Sequence, residues 1–143
     1  MKTVQVLKLS EEGAVSIQEA AIAQARSLGL AVNVAVVDEG GFLMVFRRMD
    51  GVRLYTVQTA LAKARSAALM QSPSGRERAS GAVMTDHHAI ALTLAAGPDS
   101  VATFPGGVPI RVKGQVVGGI GVSGTKDEDC RKIAEVAASS IDL

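Results

Sequence analysis

A glycine-rich run over residues 104–124, FPGGVPIRVKGQVVGGIGVSG, constrains the fold more than any other part of the chain. Seven of its 21 residues are glycine, two are proline, and most of the rest are Val or Ile. Val and Ile favour strands, whereas glycine inside a strand weakens it and marks the close approach of another backbone or of a ligand. We therefore predict a buried β-hairpin, with strands over 109–112 and 115–122, that packs tightly against either a helix or a ligand.

The other elements follow from hydrophobic periodicity and turn residues. A first helix is expected from the N-cap Ser10 to Gly29, because a helix commonly ends at a glycine with left-handed backbone conformation. Strands are expected over 31–37 and 42–48, around a turn at 38–41. Further helices are expected over 54–70 and 83–97, and after a capping-box pattern at Thr125–Glu128. In the 54–70 helix the predicted apolar face is Val57, Leu61, Ala64 and Ala68, with Lys63 and Arg65 lying away from it.

This order of elements predicts an α+β protein with helices on an antiparallel sheet. The chain has 143 residues, so we expect one domain over 1–143. The composition is 48% hydrophobic but only 3% aromatic, which predicts a core of Ala, Val, Ile and Leu.

Charge and cysteine content argue against several classes of function. A net charge of +1 gives no basic surface for nucleic acid, and we expect no nucleic-acid partner. Cys130 is the single cysteine, which excludes an internal disulfide and a cysteine-based metal site. No signal sequence or membrane-spanning run is recognisable, so a cytoplasmic protein is expected. No G-x-S-x-G, H-E-x-x-H, P-loop or Rossmann motif occurs.

The motifs FPGGVPI and VVGGIGVSG, followed by an acidic helix start, resemble the GlcG/HbpS family of small bacterial proteins. The segments AVVDEGGFLMVFRRMDG and ALAKARSAA match in the same order, so the resemblance covers nearly the whole chain. The family pattern usually has Ser-Gly-Gly after the last strand, whereas this chain has Ser123-Gly124-Thr125.

The resemblance implies a profilin-like fold, with a five-stranded antiparallel sheet, helices on both faces and assembly into homo-oligomers. Members have been described as haem-binding, and a similar domain ends certain corrinoid adenosyltransferases. Others lie beside genes for glycolate or glycerol catabolism. The resemblance thus implies an accessory protein for a small ligand, with haem or a corrinoid as the candidate cofactor.

The FPGGVPI loop is the first candidate site. Gly106 and Gly107 lie between Pro105 and Pro109, each of which biases the residue before it towards extended geometry. Two consecutive glycine amides can form a nest for a carboxylate or phosphate oxygen, and a plain rigid turn is the alternative. The candidate ligand-binding residues are Phe104, Pro105, Gly106, Gly107, Val108, Pro109, Lys63 and Arg111. For Lys63, a solvated position and one aimed into the pocket remain equally open.

The second candidate group contains His87 and His88, the two histidines of the chain. Adjacent helical residues point about 100° apart, so the pair cannot easily hold one metal, and no metal site is predicted. A single axial His88 beside an apolar slot would suffice for haem, and Met84 would share its face on a helix.

An enzyme that moves a proton on a small hydroxy- or oxo-carboxylate, without a cofactor, is the alternative function. The candidate catalytic residues are His87, His88, Asp38 and Tyr55. Asp38 has a simpler role as the first residue of a turn, and Tyr55 as a packing residue.

Overall fold

The computed structural model describes residues 1–141. Its elements, in chain order, are α1 (Glu11–Ser27), β1 (Asn33–Asp38), β2 (Leu43–Arg48), α2 (Thr56–Met70), α3 (Asp86–Ala96), β3 (Gly107–Val112), β4 (Gln115–Ser123) and α4 (Asp127–Ser139). The α+β class and both hairpins are confirmed. Ser10 caps α1 by accepting a hydrogen bond from the Gly13 N–H, and Gly29 has the left-handed φ of +68° expected of it.

The four strands form one antiparallel sheet in the order β2-β1-β4-β3. The two hairpins therefore meet through β1 and β4, where Val36 pairs with Ile120. The described residues thus contain one strand fewer than the five that the resemblance implies. No helix among residues 1–141 has the length and apolar character needed to span a membrane.

Helices cover both faces of the sheet. Helices α1 and α4 cover one face, and the core there consists of branched aliphatic side chains such as Val36, Ile120 and Ile133, all fully buried. Helix α2 covers the other face, where the core is smaller and consists mainly of Ala35, Val37 and the alanines of α2.

Glycines in β4 allow α2 to approach closely. A Cβ added at Gly121 would lie 2.0 Å from the Ala60 carbonyl oxygen, and one at Gly119 would lie 2.3 Å from that of Ala64. Neither contact could be relieved without moving helix backbone. Of the two explanations predicted for these glycines, close packing of a helix is the one observed.

Helix α3 packs on the rest of the chain much less than the other helices do. Ala89 is its one buried residue, whereas Ile90 is 62% and Leu94 is 80% exposed. Its N-terminus is attached by an ion pair between Arg76 and Asp86.

Two local predictions were wrong. Lys63 lies on the buried face of α2, with Ala60, Ala64 and Ala67, whereas Leu61 is only half-buried. The reason is that the glycine-lined strand accepts the alanine face of the helix and leaves the larger apolar residues at its edge.

The capping box is also absent. Helix α4 begins at Asp127 with Lys126 as its N-cap, one residue later than the pattern requires, and no side chain caps it.

Candidate functional site

A cavity of about 510 Å³ lies between the N-terminal half of α2 and the end of β4. Its volume falls in the range typical of small-molecule sites. Its lining residues are Arg53, Tyr55, Thr56, Thr59, Lys63, Phe104, Ser123, Gly124, Thr125, Lys126 and Asp127. We call it the Lys63 cavity.

Lys63 is the one buried cation of this cavity, with only 3% of its surface exposed. Its Nζ donates a hydrogen bond to the Val122 carbonyl oxygen at 2.9 Å and lies 4.9 Å from the centre of the Phe104 ring. Within residues 1–141 no carboxylate forms an ion pair with it. Burial lowers the pKa of Lys63, and Cys130 and Asp127 oppose that shift only in part.

The paired glycines of the FPGG loop shape the place where Lys63 lies. A Cβ on Gly106 would come within 2.8 Å of the Lys63 Nζ, and one on Gly107 within 2.2 Å of the Lys63 carbonyl oxygen. The Gly107 N–H donates to the Ser74 hydroxyl at 2.7 Å, so it is not available to an anion. The predicted nest of two free amides is therefore corrected: the loop provides space for a lysine.

The hydroxyl groups of the cavity wall are already oriented. Thr56 donates to the Arg53 carbonyl, and both Thr59 and Ser123 donate to the Thr56 carbonyl. Asn33 in turn donates to the Thr56 hydroxyl from beneath. With their protons committed to main chain, these three hydroxyls present oxygen lone pairs to a ligand.

The histidines lie elsewhere, at the start of α3, and both are exposed. His88 lines an open cleft of about 280 Å³ together with Arg78, Ala82, Val83, Met84 and Thr85. We call it the α3 cleft. Met84 precedes the helix, because Thr85 is the N-cap, but it still shares this cleft with His88. His87 is not among the lining residues.

The other predicted site residues are not brought together. The Asp38 carboxylate accepts the N–H groups of Gly40 and Phe42, both at 2.9 Å, which is the turn role predicted as its alternative. Arg111 is exposed, donates to the Gln71 carbonyl, and lines a separate depression with Val108 and Pro109.

Of the predicted ligand-binding residues, Lys63 and Phe104 line the Lys63 cavity. Of the predicted catalytic residues, Tyr55 lines it too and is 67% exposed. Pro105 borders a different surface depression.

Sequence reasoning missed most of the Lys63 cavity, notably Arg53, Thr59, Ser123 and Lys126. The available signal was the Ser123-Gly124-Thr125 junction between the last strand and the last helix, since ligand sites often lie where a strand passes into a helix. Residues 1–141 contain no group of three or more His, Cys, Asp or Glu side chains arranged to hold a metal ion. Burial raises the pKa of the Cys130 thiol, which makes it a poor nucleophile.

Comparisons with known proteins agree with this architecture. The family model described as haem degrading protein HbpS-like matches residues 9–139. Protein GlcG of Escherichia coli K12 is 34% identical over 124 residues, covering 86% of this chain and 85% of its own.

Solved structures share the fold. The Klebsiella pneumoniae protein ORFY has a TM-score of 0.85 at 26% identity, covering 99% of this chain and 95% of its own. A PduOC–haem complex has a TM-score of 0.78 at 27% identity, covering 94% and 95% of the two chains. On the match of the family model and the likeness to GlcG, the chain belongs to the GlcG/HbpS family.

Proposed function

We propose that this chain is a haem-binding accessory protein that holds the tetrapyrrole at the α3 cleft. The observation that carries the proposal is the placement of His88: an exposed imidazole beside the apolar side chains of Val83 and Met84, with the cation Arg78 on the same cleft. Family membership and the haem carried by the related PduOC structure support it.

The residues of the cleft fit the chemical parts of haem. The imidazole of His88 would supply a nitrogen ligand to the haem iron, and Met84 would place a thioether on the same cleft. Val83 offers apolar contact to the macrocycle, and the Arg78 guanidinium suits a propionate. When bound, haem would supply redox-active iron. The contribution of the chain is to bind the iron, hold the carboxylates and cover one side of the ring.

The α3 cleft is too open to enclose a tetrapyrrole within one chain. Ile90 and Leu94 expose apolar surface on the same helix. We propose that a second copy of the chain covers this surface, giving a homo-oligomer. Sedimentation velocity tests this: Leu94→Ser should reduce the assembled mass without changing the far-UV circular dichroism, and an unchanged mass would refute the interface.

Titration with hemin tests the haem proposal. The unmodified protein should give a saturable shift of the Soret band, and His88→Ala should abolish it. His87→Ala is the matched control, because His87 is also exposed but does not line the cleft, and this variant should bind hemin as the unmodified protein does. Absorption that never saturates, or equal loss in both variants, would refute the site. A parallel titration with cobinamide distinguishes a corrinoid from haem.

A second function is favoured by the Lys63 cavity, most of whose lining residues carry polar or charged groups and none of which is a histidine. We propose that it binds a small carboxylate, with Arg53 and Lys126 at its edge and Lys63 on its floor. The lining thus sets three cations, Arg53, Lys63 and Lys126, against the single carboxylate of Asp127, a balance that favours an anionic ligand. Lactate should therefore raise the melting temperature of the protein, and Arg53→Gln should reduce that rise. A lactate response that is absent would refute it.

A further inference from the structure

We infer that Lys63 captures small carbonyl compounds, aldehydes or 2-oxo acids, as an imine at the floor of its cavity. This inference rests on the second proposed function, since the cavity must first admit a small ligand. It assigns Lys63 a covalent role that is separate from haem binding at α3.

The placement of the amine carries the inference. Lys63 is the one lysine of the described chain that is buried, whereas Lys2, Lys8, Lys113, Lys126 and Lys132 are all exposed. Its stem is enclosed by the glycine loop, and its Nζ reaches a cavity large enough for a compound of a few heavy atoms. A lysine in such a place is not a surface charge.

The absence of a paired carboxylate favours the neutral amine. An ion pair would hold the ammonium form, and none involving Lys63 is present in residues 1–141. Burial in addition lowers the pKa of this lysine, so a larger fraction carries the lone pair that attacks a carbonyl.

The single hydrogen bond to Val122 is compatible with each state of the reaction. The Nζ lone pair attacks the carbonyl carbon, and the carbonyl oxygen takes a proton from nitrogen to give a carbinolamine. The carbinolamine oxygen then takes a second proton, from solvent, and leaves as water, so that amine, carbonyl compound and one proton become a protonated imine and water. A protonated imine keeps one N–H, which can still donate to the Val122 carbonyl oxygen.

Three neighbours act on the intermediates: the Phe104 ring favours the cationic imine, and the hydroxyl oxygens of Thr59 and Ser123 can hold the carbinolamine. The Phe104 ring, 4.9 Å from Nζ, stabilises a cation in this position. The hydroxyl oxygens of Thr59 and Ser123, whose protons are committed to main chain, can accept a hydrogen bond from the carbinolamine hydroxyl. Arg53 at the cavity edge would prefer a 2-oxo acid to a simple aldehyde.

Reductive trapping tests the inference. The full chain is incubated with pyruvate and sodium borohydride, and peptides are mapped by mass spectrometry. We expect one reduced pyruvate on the Lys63 peptide, formed faster than on any exposed lysine, because burial lowers the pKa of Lys63 and so raises its neutral fraction. Propanal should label the same lysine, and Arg53→Gln should slow labelling by pyruvate more than labelling by propanal.

The control variant is Lys63→Arg, which keeps the charge but forms no imine, with circular dichroism to show that it folds. Labelling that is absent from Lys63, or spread evenly over all lysines, overturns the inference. If lactate still raises the melting temperature in that case, carboxylate binding stands and only the imine fails. If neither lactate nor pyruvate has any effect and no adduct forms, both proposals fail.

Discussion

The Lys63 cavity and the α3 cleft differ in how firmly the fold holds them. Lys63 extends from a helix whose backbone touches glycines of the central strand β4, and its amine is bonded to that strand. His88 extends from a helix that buries only Ala89 and is attached at its N-terminus by an exposed ion pair. The first site is therefore preorganised by the core, whereas the second needs a ligand or a second subunit to complete it.

This contrast suits the two proposed ligands. A small carbonyl compound gains from an amine fixed in one orientation, because few contacts are available to position it. A large planar tetrapyrrole supplies apolar surface that can help to order a loosely attached helix, together with the second copy proposed to cover it.

The largest effect on stability is expected from Gly121→Ala, which disturbs the packing of α2 against β4. The added Cβ would lie 2.0 Å from the Ala60 carbonyl oxygen, so the helix must move away from β4. We expect the free energy of unfolding to fall by about 3 kcal/mol, measured by urea denaturation.

The control is Gly29→Ala, which has a positive φ but open space around the added atom. This variant should lower the free energy of unfolding by only about 1 kcal/mol, from backbone strain alone. Equal losses in the two variants would show that close packing of α2 does not anchor the Lys63 cavity.

A smaller effect concerns the pH dependence of stability. Burial lowers the folded pKa of Lys63 below its ordinary value of 10.5, so between those two values the unfolded chain binds more protons than the folded one. The free energy of unfolding therefore rises with pH between the folded pKa of Lys63 and 10.5, and Lys63 contributes no such rise at lower pH.

Lys63→Met should accordingly flatten the rise of unfolding free energy with pH in this alkaline window, by up to about 1.4 kcal/mol per pH unit. Lys126→Met, at an exposed position of the same cavity, should follow the unmodified protein. Parallel curves for Lys63→Met and the unmodified chain would show that the amine is not desolvated.

The smallest effect is expected at the attachment of α3. Asp86→Ala removes the ion pair with Arg76, whose two side chains are 84% and 41% exposed. Exposed pairs contribute little, so we expect a loss below about 1 kcal/mol in urea denaturation. A loss comparable to that of Gly121→Ala would mean that α3 is as firmly held as α2, which would contradict the difference between the two sites.

The sequence predicted the elements better than the sites. The caps Ser10 and Gly29 indicated their conformations directly, because each depends on local backbone chemistry. The periodicity of α2 predicted Lys63 away from its apolar face, and this was wrong. Periodicity describes the helix alone and cannot show that glycines on the facing strand leave space for alanines and a lysine. Arg53 and Lys126 were missed because they converge only through the pairing of β1 with β4.

Hemin titration of Lys63→Met, set against His88→Ala, tests most directly whether two separate sites exist. We expect Lys63→Met to give the full Soret shift of the unmodified protein and His88→Ala to give none. Loss of the Soret shift in Lys63→Met, with its retention in His88→Ala, would place the haem in the Lys63 cavity and contradict the account.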